Sequence, residues 1–256
     1  MKRVTVADQD IQETAAALDL AIETAFDAVE EARSFAEACR IAEALLFASA
    51  EPLSTEAIAS RLPGSAPATA VLRTLEKEYA ARGVNLVRLA GKWAFRTAED
   101  LGYLLSREAV EPRKLSRAAL ETLSIIAYHQ PVTRTEIEDI RGVSTSRGTL
   151  DVLIEAGWVR LRGRRKAPGR PVTYGTTEAF LVHFGLNRID DLPGLDELKG
   201  SGFLDGRLPP GFGVPTPSDD PHLREDEDPL GEDIFAELAE EAANRVEEPL
   251  RDEERK

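Results

Sequence analysis

Arg160, Arg162, Arg164, Arg165, Lys166 and Arg170 stand in the stretch RLRGRRKAPGRPVTYGTT, which holds no acid between Arg160 and Thr177. Three uses of such a run are open. It can track a phosphate backbone, giving affinity without sequence choice that weakens steeply with salt. It can dock an acidic segment, either one of this chain's own acidic ends or one on a partner. Or it is a hydrated loop that keeps the protein soluble. Arg160 and Arg162 alternate with Val159 and Leu161. That places both on the exposed face of a strand, where they would protect an edge. Arg164, Arg165, Lys166 and Arg170 fall in the loop that follows.

Reactive groups are sparse elsewhere. His129, His183 and His222 are scattered without metal-ligand spacing, and Cys39 is the only cysteine. A cysteine-rich zinc site is therefore excluded, as is an intramolecular disulfide. Gly91-Lys92 superficially resembles part of a phosphate loop. The glycine needed five residues earlier is Leu86, however, and Trp93 stands where Ser or Thr would bind magnesium. His129 reads as a helix C-terminal residue near free carbonyls. No pair of carboxylates is singled out. The expectation is no enzyme, no cofactor and no metal.

The elements that would position these residues read as a repeat. Residues 11–50 have helical periodicity, with Leu18, Ile22, Phe26 and Val29 followed by Phe35, Ala38, Ala42 and Leu45. The first part, to about residue 33, is an acidic and mobile helix. Ser54 or Thr55 caps a short second helix, and Ala68 to Arg82 makes a third, stopped by Gly83. The period then changes to two over VNLVRLAGKWAFRTA, with Gly91-Lys92 as the hairpin signal. After AVEPRKL the order recurs. A helix capped by Ser116 carries Leu120, Leu123, Ile126 and Ala127. A short one capped by Thr133 carries Ile137 and Ile140, and a third carries Leu150, Leu153 and Ile154. Two strands and a closing helix around EAFLVHFG follow. This is a mainly α protein with small β-hairpins (α+β), in two tandem winged-helix domains. The expected boundaries are an acidic N-terminal extension over 1–33, domains over 34–110 and 111–200, and a Pro/Gly linker with a disordered acidic tail over 201–256.

Winged helices usually read DNA with the third helix. In the second domain that helix offers Arg147 and Thr149 to a groove, but also Asp151 and Glu155. In the first, Glu76 and Glu78 accompany Arg73 and Lys77. Acids facing phosphates argue against sequence-specific reading. The charge distribution agrees. Residues 1–33 have a net charge of −5 and residues 219–256 of −11, which leaves +2 for the middle. The acidity belongs to the ends. Domains of roughly 75 residues bury only about 60% of their unfolded surface, so each is expected to lean on its neighbour, a second copy or a partner. No apolar run approaches the roughly 18–20 residues that cross a bilayer. The N-terminus has no signal-peptide core. The expected location is the cytoplasm.

Residues 115–195 resemble the second winged-helix domain of bacterial segregation and condensation protein B, most strongly in LETLSIIAYHQPVTRTEIEDIRGV, GRPVTYGTTEAFLVHFGL and DLP. Residues 34–108 fit the family's first domain in order, with EALLFASAEPLS the best match. The resemblance implies a non-catalytic subunit that dimerises through its first domain. It implies binding to the kleisin, segregation and condensation protein A, and through it to the SMC ATPase on the nucleoid, in chromosome condensation and segregation. Apolar side chains of an extended kleisin segment would anchor in grooves, and the wing cations would steer it. Gly142, Gly157, Tyr174 and Phe180 mark the most family-like turn, wing and core. The rival expectation is a winged-helix transcriptional regulator, or a protein with weak non-specific affinity for DNA.

Overall fold

The computed structural model describes residues 4–63, 66–105, 115–200, 215–218, 220 and 222–231. The chain divides into two compact units, Met1–Pro112 and Arg113–Lys256.

In the first unit α1 runs unbroken from Val4 to Ala48, with no interruption near residue 33 where a separate acidic helix was expected to end. Its last four turns turn Ala38, Ala42 and Leu46 inward. Ser54 caps α2 (Thr55–Ala59) by accepting from the Ala57 amide. Helix α3 (Ala68–Tyr79) has apolar residues at helical spacing and buries Val71, Leu72 and Leu75. It stops three residues before the expected end. Asn85 does the stopping, because its side-chain amide donates to the carbonyls of Tyr79, Ala80 and Arg82. Strands β1 (Val84–Leu89) and β2 (Lys92–Thr97) pair antiparallel, Leu89 opposite Lys92. The two turn residues are therefore Ala90 and Gly91, both at positive φ, rather than Gly91-Lys92. Trp93 closes the core, exchanges backbone hydrogen bonds with Leu53 and donates to Thr55 Oγ1 at 3.3 Å. A 3-10 turn (Glu99–Leu101) leads into α4 (Gly102–Leu105). The linker expected at 109–115 lies mostly outside the described residues.

The second unit repeats the order with a larger sheet. Ser116 caps α5 (Arg117–His129). Strand β3 (Val132–Thr133) leads into α6 (Arg134–Arg141), and α7 (Arg147–Glu155) follows. Then come β4 (Val159–Arg165), β5 (Val172–Thr176), α8 (Glu178–Phe184), a 3-10 turn (Ile189–Asp191) and α9 (Leu195–Gly200). A last strand, β6 (Glu227–Asp228), arrives from the acidic tail. The sheet order is β3-β5-β4-β6. Every residue of the central β5 is buried. Ala119, Leu123, Ile126, Ala127, Ile137, Leu150, Leu153, Tyr174 and Phe180 are also buried, whereas Leu120 and Ile140 are 49% and 47% exposed. Both had been expected inside. In α5 the buried stripe passes through Ala119 instead.

Residues 222–231 belong to the stretch expected to be disordered, yet two of them, Glu227 and Asp228, pair with the sheet. The possible helix at 234–246 lies outside the described residues. No helix among the described residues is long and apolar enough to cross a membrane.

Candidate partner-binding surface

The basic stretch is built by strand geometry. Strand β4 pairs with β5 in register from Val159↔Thr176 to Leu161↔Tyr174, then shifts so that Gly163 faces Thr173. Arg162 is the extra residue of this bulge, which bends the strand and re-aims its side chains. The simple alternation that put Arg162 beside Arg160 in water therefore fails. Arg160 is exposed, with its Nε donating to Thr176 O at 3.1 Å. Arg162 is buried. Arg164 and Arg165 belong to β4 itself, not to a free loop, and Arg164 is buried, its Nη1 donating to Arg170 O at 3.0 Å. Only Lys166 and Arg170 have the exposure expected of the loop.

What covers these cations is the chain's own tail. Arg164 pairs across the ladder with Asp228 and Arg165 with Glu227. The Lys166 amide donates to Asp226 O at 2.8 Å. Arg162 Nε lies 3.4 Å from Glu227 Oε2, with the two side chains 3% and 0% exposed. At that length the contact is an ion pair more than a hydrogen bond. Arg162 Nη2 also donates to His222 O at 2.5 Å. Glu227 Oε1 accepts from the Thr173 hydroxyl at 2.7 Å, and its Oε2 from the Arg224 amide at 3.1 Å. Thr173 in turn accepts from the Gly163 amide at the bulge, at 3.0 Å. Arg165 reaches Asp226 Oδ2 at 2.8 Å. Arg170 lies 3.0 Å from Asp228 Oδ2, and Lys166 3.8 Å from Asp228 Oδ1.

One of these cations, Arg165, also ties the β4–β5 hairpin to α6. Thr133 and Glu136 form a reciprocal capping box at the start of α6. Glu136 also takes Arg165 Nη2 on both oxygens, at 3.0 and 2.9 Å. Burial alone would raise the Glu136 pKa. The Thr133 amide and the Arg165 guanidinium outweigh it and hold the carboxyl below its usual value. Burial lowers the Arg165 pKa, but Glu136 and Asp226 outweigh it and the value rises. At the other end of α6, Gly142 closes the helix at φ 71°, a conformation that suits glycine. Glu138 Oε1 accepts from the Thr145 amide at 2.9 Å and pairs with Arg134 at 3.0 Å, which sets the angle between α6 and α7.

Helix α7 presents acids. Asp151 and Glu155 are exposed, while Thr149, expected on the surface, is buried. The Arg147 side chain lies outside the described residues. Gly157 follows α7 at φ 73°. Beside it stands an aromatic cluster that sequence reasoning missed. Trp158 lies 4.4 Å from His183 and 5.6 Å from Phe184 between ring centroids, and Phe184 lies 4.7 Å from Phe180. Phe180 is buried, but Phe184 is 45% exposed. The signal available was Trp158 and EAFLVHFG standing on either side of the hairpin.

The remaining reactive groups are quiet. Burial, then Glu78, pushes the Cys39 thiol pKa up, away from the thiolate. His129 is the last residue of α5, the helix C-terminal position expected for it, and burial lowers its pKa. Among the described residues no group of three or more His, Cys, Asp or Glu could hold a metal ion.

The class that this geometry defines is a mixed α/β protein of small sheets whose charged β4–β5 hairpin is engaged in strand pairing and ion pairs. Residues 40–195 match the family model described as segregation and condensation complex subunit ScpB. Segregation and condensation protein B of Symbiobacterium thermophilum is 44% identical over 158 residues, covering 60% of this chain and 71% of that protein. The protein of the same name from Desulforamulus reducens is 42% identical, covering 62% and 90%. A crystal structure of ScpB from Mycobacterium tuberculosis is 31% identical, covering 59% of this chain and 97% of that one, with a TM-score of 0.28. The chain belongs to the ScpB family, whose names place it in chromosome segregation and condensation.

Proposed function

We propose that this chain is a non-catalytic accessory subunit of the bacterial SMC condensin complex, acting in the cytoplasm on the nucleoid. It binds the kleisin, segregation and condensation protein A, and supports chromosome condensation and segregation. Its two units are tandem winged-helix domains over 34–110 and 111–200, flanked by the N-terminal extension and the tail. The first makes a homodimer. In support, Phe47 of α1, within that domain, is 84% exposed, and the same helix leaves Leu20, Ile22, Phe26 and Val29 of the extension exposed as well.

The carrying observation is how the second unit spends its charge. Acids occupy the exposed face of α7, and wing cations are paired within the chain. Both features disfavour operator reading, which needs cations in the groove. The half-exposed Trp158–His183–Phe184 cluster has the composition of a protein contact, because aromatic side chains dominate interface energetics. It is the part of the second unit assigned to kleisin anchoring. The test is affinity purification of the tagged chain from its own cells. Recovery of the kleisin and the SMC ATPase is expected. Recovery of DNA without either subunit would favour the regulator instead.

A further inference from the structure

The edge of β4 is occupied by a segment about 60 residues away in sequence, and the contact has the features of a binding site. Without β6, β4 would be an open edge with unpaired backbone groups. The occupant reads the edge at four positions. Leu223 lies over Gly163, where a Cβ would stand 2.9 Å from Leu223 Cδ2 and 2.8 Å from Asp228 O. Asp226 meets Arg165. Glu227 enters a closed pocket formed by Arg162 and Thr173. Asp228 meets Arg170. Three successive acids thus pair with three different arginines, and a glycine leaves room for the strand. The pairing is also short, only two residues of ladder, with Lys166, Arg170 and Asp226 at a wet rim. A buried key residue with a solvated rim describes an exchangeable peptide more than a permanent core strand.

We propose that the β4 edge is a binding site for an extended acidic peptide, and that residues 222–231 of this chain are its resident ligand, held reversibly in cis. The site selects an apolar residue followed three places later by Asp-Glu-Asp, with the glutamate as the specifying position. The wing cations are thereby withheld from other anions while the tail is docked. This holds whether or not the chain binds a kleisin.

The test uses the full chain carrying E227Q and D228N, which removes two of the tail's four contacts, the specifying glutamate among them, without touching the wing. The probe is a fluorescein-labelled peptide of residues 218–231, SDDPHLREDEDPLG. Fluorescence anisotropy should show that the variant binds this peptide. The same peptide with Glu227→Gln should bind at least about tenfold more weakly. The wild-type chain should also bind the probe at least about tenfold more weakly than the variant, because a tethered competitor acts at roughly millimolar effective concentration. Adding Gly163→Val to the variant should abolish binding, because the new side chain meets the docked strand. Equal affinity of the variant for both peptides, equal affinity of variant and wild type, or no binding to the variant would overturn the proposal. A second measurement needs no substitution. Hydrogen exchange on the wild-type chain should find the Lys166 amide protected by its bond to Asp226 O. Exchange at the rate of an open loop would overturn the docking itself.

Discussion

Replacing Glu136 perturbs the joint between α6 and the wing, and its cost can be worked from the contacts. Glu136→Ala removes the carboxylate that accepts the Thr133 amide at 2.7 Å, half of the capping box. Loss of such a cap costs about 0.5–2 kcal/mol. It also removes the two-oxygen contact with Arg165. The Glu136 side chain is 45% exposed, so solvent screening holds this ion pair to about 1 kcal/mol or less. Arg165 keeps Pro131 O and Asp226, so it is not stranded. The sum is about 0.5–3 kcal/mol. Glu136→Gln separates the parts, because its amide oxygen still accepts from Thr133 while the charge is gone; about 1 kcal/mol or less is expected. Urea unfolding of the full chain, followed by circular dichroism, measures both. The pH dependence supplies the sign. Glu136 has a folded pKa below its ordinary value, so its contribution is complete above the unfolded value of about 4.3 and is lost as pH falls through the folded value. The difference between wild type and Glu136→Gln should therefore be largest near pH 7 and shrink below pH ~4. A Glu136→Ala cost under about 0.5 kcal/mol, or a Glu136→Gln difference that stays the same at low pH, would refute the reasoning.

Other consequences follow from the same contacts. Leu72→Ala opens a cavity in the first unit's core and should destabilise it by about 2–5 kcal/mol in a denaturant titration. Gly142→Val forces a β-branched residue to φ 71° at the end of α6; a loss above about 1 kcal/mol is expected, measured by thermal melting. Phe184→Ala, at a half-exposed ring, should weaken kleisin binding severalfold by calorimetry while shifting the melting temperature little. Phe47→Glu on the exposed face of α1 should shift the chain from dimer toward monomer in analytical ultracentrifugation.

The element order was legible because it rests on local signals. Ser54, Ser116 and Thr133 cap helices where expected, and the change of period at Val84 marks the first hairpin. Gly142 stands at the turn anticipated for it. Helix faces were less legible. Leu120 and Ile140 fit the apolar spacing, yet short helices packed on one side leave such residues outside. The wing was misread for a clearer reason. Alternation assumes an unbroken ladder, and the bulge at Arg162 breaks it; the mark in the local sequence was Gly163, since a glycine inside a strand often accompanies a bulge. The tail posed the harder problem. HLREDEDPL has a disordered composition because its stability comes from arginines about 60 residues away. Only a charge argument linked the two stretches, as one of three open readings.

The proposed role stands or falls on direct binding to a kleisin. The purified full chain is titrated calorimetrically with the purified segregation and condensation protein A of the same organism. A saturable complex with a dissociation constant of about 1 μM or tighter is expected, equivalent to roughly −8 kcal/mol. Absence of heat and of co-elution at about 50 μM of each protein, with both shown to be folded, would contradict the account.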